Sequence, residues 1–204
     1  MVDVQLRRRG IRDERVLAAM LEIPRELFVP PESRVSSHGD FAIPIGRGQT
    51  ISQPYMTALM AEVLELTGSE TVLEIGAGSG YAAAVLGAVA GRVISMEIVP
   101  ALAETARANL RHAGRDGNVE VICGDGSAGY PPAAPFHAIS VAASAPEIPV
   151  ALLEQLGDPG RMVIPVGGWG YQDLRVVTKR GGKITDRVAT GCLFVPLRGS
   201  GGWR

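Results

Sequence analysis

Two acids, Glu97 and Asp125, follow a glycine-rich turn at intervals of roughly one strand and one helix, and their type and spacing suit recognition of a nucleoside. The turn lies in Val72-Leu73-Glu74-Ile75-Gly76-Ala77-Gly78-Ser79-Gly80-Tyr81, an apolar strand running into glycines and then a helix. Such a turn lets a ligand approach the backbone and the positive end of the helix. A carboxylate ending the second strand, as Glu97 does, can accept both hydroxyls of a ribose. Asp125 sits in Cys123-Gly124-Asp125-Gly126, after the third strand, so all three features fall at predicted carboxyl ends of strands, where open α/β sheets bind ligands. Taken singly, the glycines also suit any tight strand-to-helix turn, and Asp125 suits an ordinary turn.

A second polar set, Gln49, Thr50, Ser52 and Gln53, stands directly before a helix that opens at Pro54. N–H groups and the helix dipole there favour a carboxylate-sized anion, while the plainer alternative is that Ser52 only caps the helix.

Several chemistries are disfavoured. The third glycine falls at Gly80 where a dinucleotide fingerprint needs position 81, and no GxxxxGK[ST] phosphate loop occurs. His38, His112 and His137 are scattered, so no metal is expected; Cys123 and Cys192 read as reduced core residues. With 20 basic and 21 acidic residues the net charge is −1, which gives no field for nucleic acid or a membrane surface, and Arg7-Arg8-Arg9 reads as a solvated helix face. No apolar run reaches the roughly 18 residues of a membrane span, and the amino-terminal stretch lacks a secretion signal, so a cytoplasmic monomer is expected.

The elements that must hold these residues follow from periodicity. Residues 13 to 23 form a helix with Asp13 as its cap, 24 to 48 read as loop, and a helix starts at Pro54 and ends near Gly68. Thr71 to Ile75, Arg92 to Glu97, Val119 to Ile122, Phe136 to Ala142 and Arg161 to Val166 read as strands. Ala82 to Ala90, Pro100 to Ala113 and Pro149 to Leu156 read as helices. Asp173 to Lys179 and Lys183 to Leu197 are β-rich with only Arg180-Gly181-Gly182 between them, which fits an antiparallel hairpin. The expected fold is α/β, a three-layer, mostly parallel Rossmann-like sheet with an antiparallel C-terminal edge and N-terminal helices. The 204 residues form one domain, 1 to 68 as a helical, substrate-binding segment and 69 to 204 as a cofactor-binding sheet.

The pattern E-x-G-x-G-x-G followed by an acid at the next strand end resembles the class I S-adenosylmethionine-dependent methyltransferases. By that resemblance Glu74, Gly76, Gly78 and Gly80 surround the methionine part of the cofactor, Glu97 holds the ribose, and Asp125 with Gly126 meets the adenine. More narrowly, Gly48-Gln49-Thr50-Ile51-Ser52-Gln53-Pro54-Tyr55 upstream of the glycine turn is similar to the protein-L-isoaspartate O-methyltransferase family. Ala145-Pro146-Glu147-Ile148-Pro149, Val163-Ile164-Pro165-Val166-Gly167 and Phe194-Val195-Pro196-Leu197 extend the likeness over nearly the whole chain.

The resemblance implies methyl transfer from S-adenosyl-L-methionine to the free carboxylate of L-isoaspartyl residues in damaged protein, beginning repair through a succinimide. Ser52 would bond that carboxylate, and Thr50, Ile51, Gln53 and Pro54 would shape the peptide groove. A carboxylate of pKa about 4 is already ionised at neutral pH, so no general base is needed and positioning carries the rate. One departure is His137, where the family usually has aspartate; it is expected next to the residues that orient the cofactor pocket, with a possible pH dependence near about 6.5. The alternatives are a methyltransferase of the same fold with a small-molecule acceptor and a non-catalytic cofactor-binding relative.

Overall fold

The computed structural model describes residues 1–203. Short helical turns at Val2–Leu6 and Arg7–Arg9 lead to α1, Glu14–Glu22. Helix α1 begins as expected: Asp13 accepts from the backbone N–H of Arg15 at 2.9 Å and satisfies one donor that a helix start leaves open.

The stretch 24–48 holds more structure than the loop its prolines and glycines suggest. It contains 3-10 turns at Arg25–Phe28 and Pro31–Ser36, and β1 (Ile43–Gly46) pairs with β2 (Gln49–Ile51) as an antiparallel hairpin. Period-2 patterning is masked because Pro44 lies in a strand and the connection Gly46-Arg47-Gly48 takes positive φ throughout, at 87°, 56° and 71°. Only Ser52 and Gln53 then separate β2 from α2, Pro54–Val63.

Strands and helices alternate from there: β3 (Thr71–Ile75), α3 (Tyr81–Val89), β4 (Arg92–Glu97), α4 (Pro100–His112) and β5 (Val119–Cys123). The chain continues through β6 (Phe136–Val141), α5 (Val150–Gln155), β7 (Leu156–Gly168), β8 (Tyr171–Arg180) and β9 (Lys183–Cys192). The sheet has seven strands in the order β5-β4-β3-β6-β7-β8-β9; β5 through β7 are parallel, and β8 and β9 run antiparallel, as expected. Several boundaries differ, with α2 stopping at Val63 rather than near Gly68 and β8 running two residues earlier, from Tyr171. β7 begins at Leu156 rather than Arg161, and β9 ends at Cys192, leaving Phe194 to Leu197 to cross the sheet end as irregular chain. Strand order reverses beside β3, with β4 on one side and β6 on the other, and the tip of such a strand is where doubly wound sheets bind ligands.

The two faces of the sheet are covered unequally. On one, Val72, Val93, Ala138 and Val163 pack with Leu17 of α1, Ala58 of α2, Val85 of α3 and Ala106 of α4. On the other, Leu73, Ile94, Ile139 and Val141 meet Leu152 of α5, a six-residue helix, with 3-10 turns at Gly126–Ala128 and Pro131–Ala133 completing the cover. Alternation along β3 therefore sends Glu74 to the same face as Val72, in register with Ser95 and Ser140 of the flanking strands.

The cysteines correct one expectation. Cys192 is half-buried, but Cys123 is exposed at the tip of the edge strand β5, so it is no core residue; both are free thiols. Among the described residues no helix is long and apolar enough to cross a membrane, and no cluster of three or more His, Cys, Asp or Glu could hold a metal.

Candidate active site

A cleft opens over the tips of β3 and β4. Gly76, Gly78 and Glu97 line it together with Gln49, Thr50, Ile51 and Ser52, so members of both sets singled out from the sequence meet in one place. Positive φ at Gly76 (95°), Gly78 (55°) and Gly80 (90°) turns the chain sharply from β3 into α3 and leaves backbone, not side chain, facing the cleft. Gly80 serves otherwise. It does not line the cleft, and a Cβ there would lie 3.1 Å from the Ala106 carbonyl oxygen, so its lack of a side chain lets α3 approach α4.

Glu97 is only 5% exposed. Its Oε2 accepts from the Gly78 N–H at 2.8 Å and its Oε1 from the Val99 N–H at 2.9 Å, which pins the carboxylate to the glycine turn. A carboxylate has about four acceptor sites, so each oxygen keeps capacity for a hydroxyl from the cleft. This geometry fits a ribose diol.

Glu74 and Asp125 take other places than the expected ones. Glu74 is fully buried beneath the turn and does not line the cleft; Ser95 Oγ donates to its Oε2, and its Oε1 has no partner. Burial pushes it up to about 8, with the nearby Glu97 adding to the rise and the Ser95 hydroxyl opposing it, so Glu74 is mainly a neutral acid at pH 7. Asp125 is also absent from the cleft wall, which only its neighbour Gly126 reaches. Burial of Asp125 acts to raise its pKa, but hydrogen bonds from Ser127 and Ser200 outweigh it and hold the group below the usual carboxylate range. Those bonds, from Ser127 Oγ at 2.6 Å and the Ser200 N–H at 2.8 Å, staple the C-terminal tail to the tip of β5.

The acceptor side also differs from expectation. Ser52 is not the cap of α2; Gln53 holds that position, with no side-chain cap bond. Gln53 and Pro54 lie outside the cleft lining. The open N–H of Tyr55 at the start of α2 is already taken by Asp40 Oδ1 at 3.0 Å, and Asp40 pairs in turn with Arg9.

His137 is far from this site. Its Nδ1 accepts from the Thr71 N–H at 3.1 Å, at the amino ends of β6 and β3, whereas the cleft lies at the carboxyl ends. The expected role beside the cofactor pocket is replaced by that of a surface acceptor for a strand-end N–H.

Two residues were not legible as functional. Asp40 organises the start of α2, and the fully buried Arg25 donates to the Ser52 carbonyl at 2.7 Å. Pro24-Arg25-Glu26 reads locally as a solvated turn, and only the fold places Arg25 behind the cleft. The walls from Val195 to Arg198 were likewise hidden, since chain that crosses a sheet end has no period.

Comparison with known proteins identifies the family. The family model described as Protein-L-isoaspartate(D-aspartate) O-methyltransferase (PCMT) matches residues 1–201. A protein-L-isoaspartate O-methyltransferase of Methanoregula boonei is 52% identical, covering 100% of this chain and 93% of its own length. One from Methanoculleus marisnigri is also 52% identical, covering 100% and 92% respectively. Among solved structures, a protein-L-isoaspartate O-methyltransferase superposes with TM-score 0.83 at 30% identity, over 96% of this chain and 64% of the other. A Plasmodium falciparum protein described as a putative protein-L-isoaspartate O-methyltransferase, in complex with S-adenosyl-L-homocysteine, gives TM-score 0.79 at 28% identity, over 94% of each chain.

Proposed function

The chain belongs to the protein-L-isoaspartate(D-aspartate) O-methyltransferase family, and we propose how its own residues divide that family's work. The reaction transfers a methyl group from S-adenosyl-L-methionine to the carboxylate of isoaspartyl residues in protein. The observation that carries the assignment of roles is that Thr50, Ile51 and Ser52 wall the same cleft as Gly76, Gly78 and Glu97.

S-adenosyl-L-methionine supplies an electrophilic methyl group on a sulfonium. Glu97 fits its ribose, because both carboxylate oxygens are oriented by backbone N–H groups and keep acceptor capacity. Gly76 and Gly78 fit its methionine part, because the turn presents backbone to the cleft; Gly126 contributes where the cleft runs toward β5. Ser52, the catalytic residue of this reading, donates its hydroxyl to the isoaspartyl carboxylate and holds one oxygen in line with the methyl carbon. Thr50 and Ile51 shape the groove that receives the peptide backbone. Gln53 and Pro54 act one step back, by fixing where α2 begins.

The acceptor is already anionic at neutral pH, so the new O–C bond forms as the S–C bond breaks and no proton has to move. Rate enhancement then rests on alignment and on exclusion of water, an effect worth up to roughly 7 to 11 kcal/mol. The ester closes to a succinimide by expelling methanol, and hydrolysis of that ring returns part of the material to normal aspartate. We place its action, as a monomer, in the cytoplasm on isoaspartyl peptides and proteins.

Ser52→Ala tests the assignment. Turnover on an isoaspartyl peptide should fall by about 10- to 1000-fold while S-adenosyl-L-homocysteine affinity stays near wild type, as expected of a positioning donor. Unchanged turnover would remove Ser52 from the site.

A further inference from the structure

Arg25 is the largest of the fully buried side chains, 0% exposed, and among the described residues no carboxylate lies within salt-bridge distance of it. Its Nε donates to the Ser37 carbonyl at 2.8 Å and its Nη2 to the Ser52 carbonyl at 2.7 Å, while its Cζ stands 4.7 Å from the centre of the Tyr81 ring. Nη1 is buried without a partner. Burial of this guanidinium lowers its pKa, and the Tyr81 ring and the Asp40 carboxylate, beyond ion-pair distance, offset only part of that, so charge pairing alone gives little reason to bury an arginine here.

Its contacts supply another reason. Ser52 and Tyr81 both line the cleft, one on the acceptor wall and the other at the start of α3, directly after the glycine turn. One planar, rigid group therefore ties the acceptor wall to the cofactor wall, and the third tie, to Ser37, anchors it to the 3-10 segment behind. Arginine suits this because its donors are fixed in one plane and its face stacks on an aromatic ring; lysine offers one flexible ammonium.

We propose that Arg25 is a positioning residue for methyl transfer, a clamp from the Ser52 carbonyl to the Tyr81 ring that sets the spacing between the acceptor carboxylate and the cofactor. This rests on the reading of Ser52 given above. It accounts for the lone buried guanidinium through the spacing that an in-line displacement requires, where about 1 Å of misplacement can cost on the order of a hundredfold in rate.

The test compares wild type, Arg25→Lys and Ser52→Ala by steady-state kinetics on an isoaspartyl peptide, by calorimetry with S-adenosyl-L-homocysteine and by thermal melting. Arg25→Lys is expected to fold and to bind S-adenosyl-L-homocysteine within about threefold of wild type, with kcat down by about 30- to 100-fold and the peptide KM nearly unchanged. Folded Arg25→Lys with wild-type kcat overturns the proposal. So does a loss of S-adenosyl-L-homocysteine affinity equal to the loss of kcat, because that is the mark of general disorder in the cleft.

If Arg25→Lys does not fold, the Arg25 Nε–H resonance of ¹⁵N-labelled wild type decides. It should shift when an isoaspartyl peptide joins the S-adenosyl-L-homocysteine complex and stay put with the aspartyl peptide; no shift with either overturns the clamp. Wild-type turnover in Ser52→Ala beside an impaired Arg25→Lys would instead reject the role given to Ser52 and leave the spacing effect standing.

Discussion

Glu97→Gln isolates the group that the cleft uses to hold a nucleoside. The carboxylate receives one backbone N–H on each oxygen, from Gly78 at 2.8 Å and from Val99 at 2.9 Å. An amide of the same shape can offer its oxygen to only one of them, and its NH2 must then face the other donor. At 5% exposure, water gives little relief, and a buried donor left without an acceptor costs about 1 to 3 kcal/mol. With about 2 to 4 °C per kcal/mol for a chain of this size, the unliganded protein should melt about 2 to 12 °C lower. Binding loses more than the charge. Hydrogen bonds to charged groups are worth about 1.5 to 3 kcal/mol against about 0.5 to 1.5 for neutral pairs, so two ribose hydroxyls together forfeit about 2 kcal/mol. That corresponds to roughly 30-fold weaker S-adenosyl-L-homocysteine binding by calorimetry. A lower melting temperature with affinity still within about threefold of wild type would refute the ribose assignment and leave Glu97 as a brace for the glycine turn.

Glu74 and His137 give two further predictions. The folded Glu74 pKa of about 8 lies above its ordinary 4.5, so folding takes up a proton in that window. Its contribution is fully present below pH 4.5 and is lost as pH rises through about 8, by at most about 1.4 kcal/mol per pH unit. Melting curves from pH 5 to 9 should therefore fall less steeply for Glu74→Gln than for wild type, and parallel slopes would show that Glu74 is ionised in the fold. For His137→Asp, kinetics on an isoaspartyl peptide should change by less than about threefold. The reason is distance: a five-residue strand, about 16 Å at 3.3 Å per residue, separates Thr71 from the glycine turn. A change of tenfold or more would contradict that separation.

What could be read from sequence was whatever depends on near neighbours in the chain. The apolar run before Gly76, the proline at the first turn of α2 and the Asp13 cap of α1 are local signals, and each falls where the structure has it. Glu97 was legible for the same reason, as the last residue of a strand whose tip faces the cleft. Long-range placement was not. Gly80 resembles its two companions in sequence, yet it packs against Ala106 of another helix. Glu74 alternates to the helix-covered face, and Asp125 is claimed by Ser200, 75 residues on. His137 sits near cleft-lining residues in sequence, but the direction of β6 carries it to the opposite end of the sheet. The β1–β2 hairpin was missed because prolines and glycines, which normally mark loops, here make the turn and an edge.

The central claim, that this cleft methylates a carboxylate reached through an isoaspartyl linkage, is tested most directly with two peptides of identical sequence. One carries aspartate and the other isoaspartate at a single position, and incorporation of labelled methyl from S-adenosyl-L-methionine is followed with the wild-type protein. Label should enter the isoaspartyl peptide alone, as a base-labile ester. Equal labelling of both peptides, or of neither, would contradict the account.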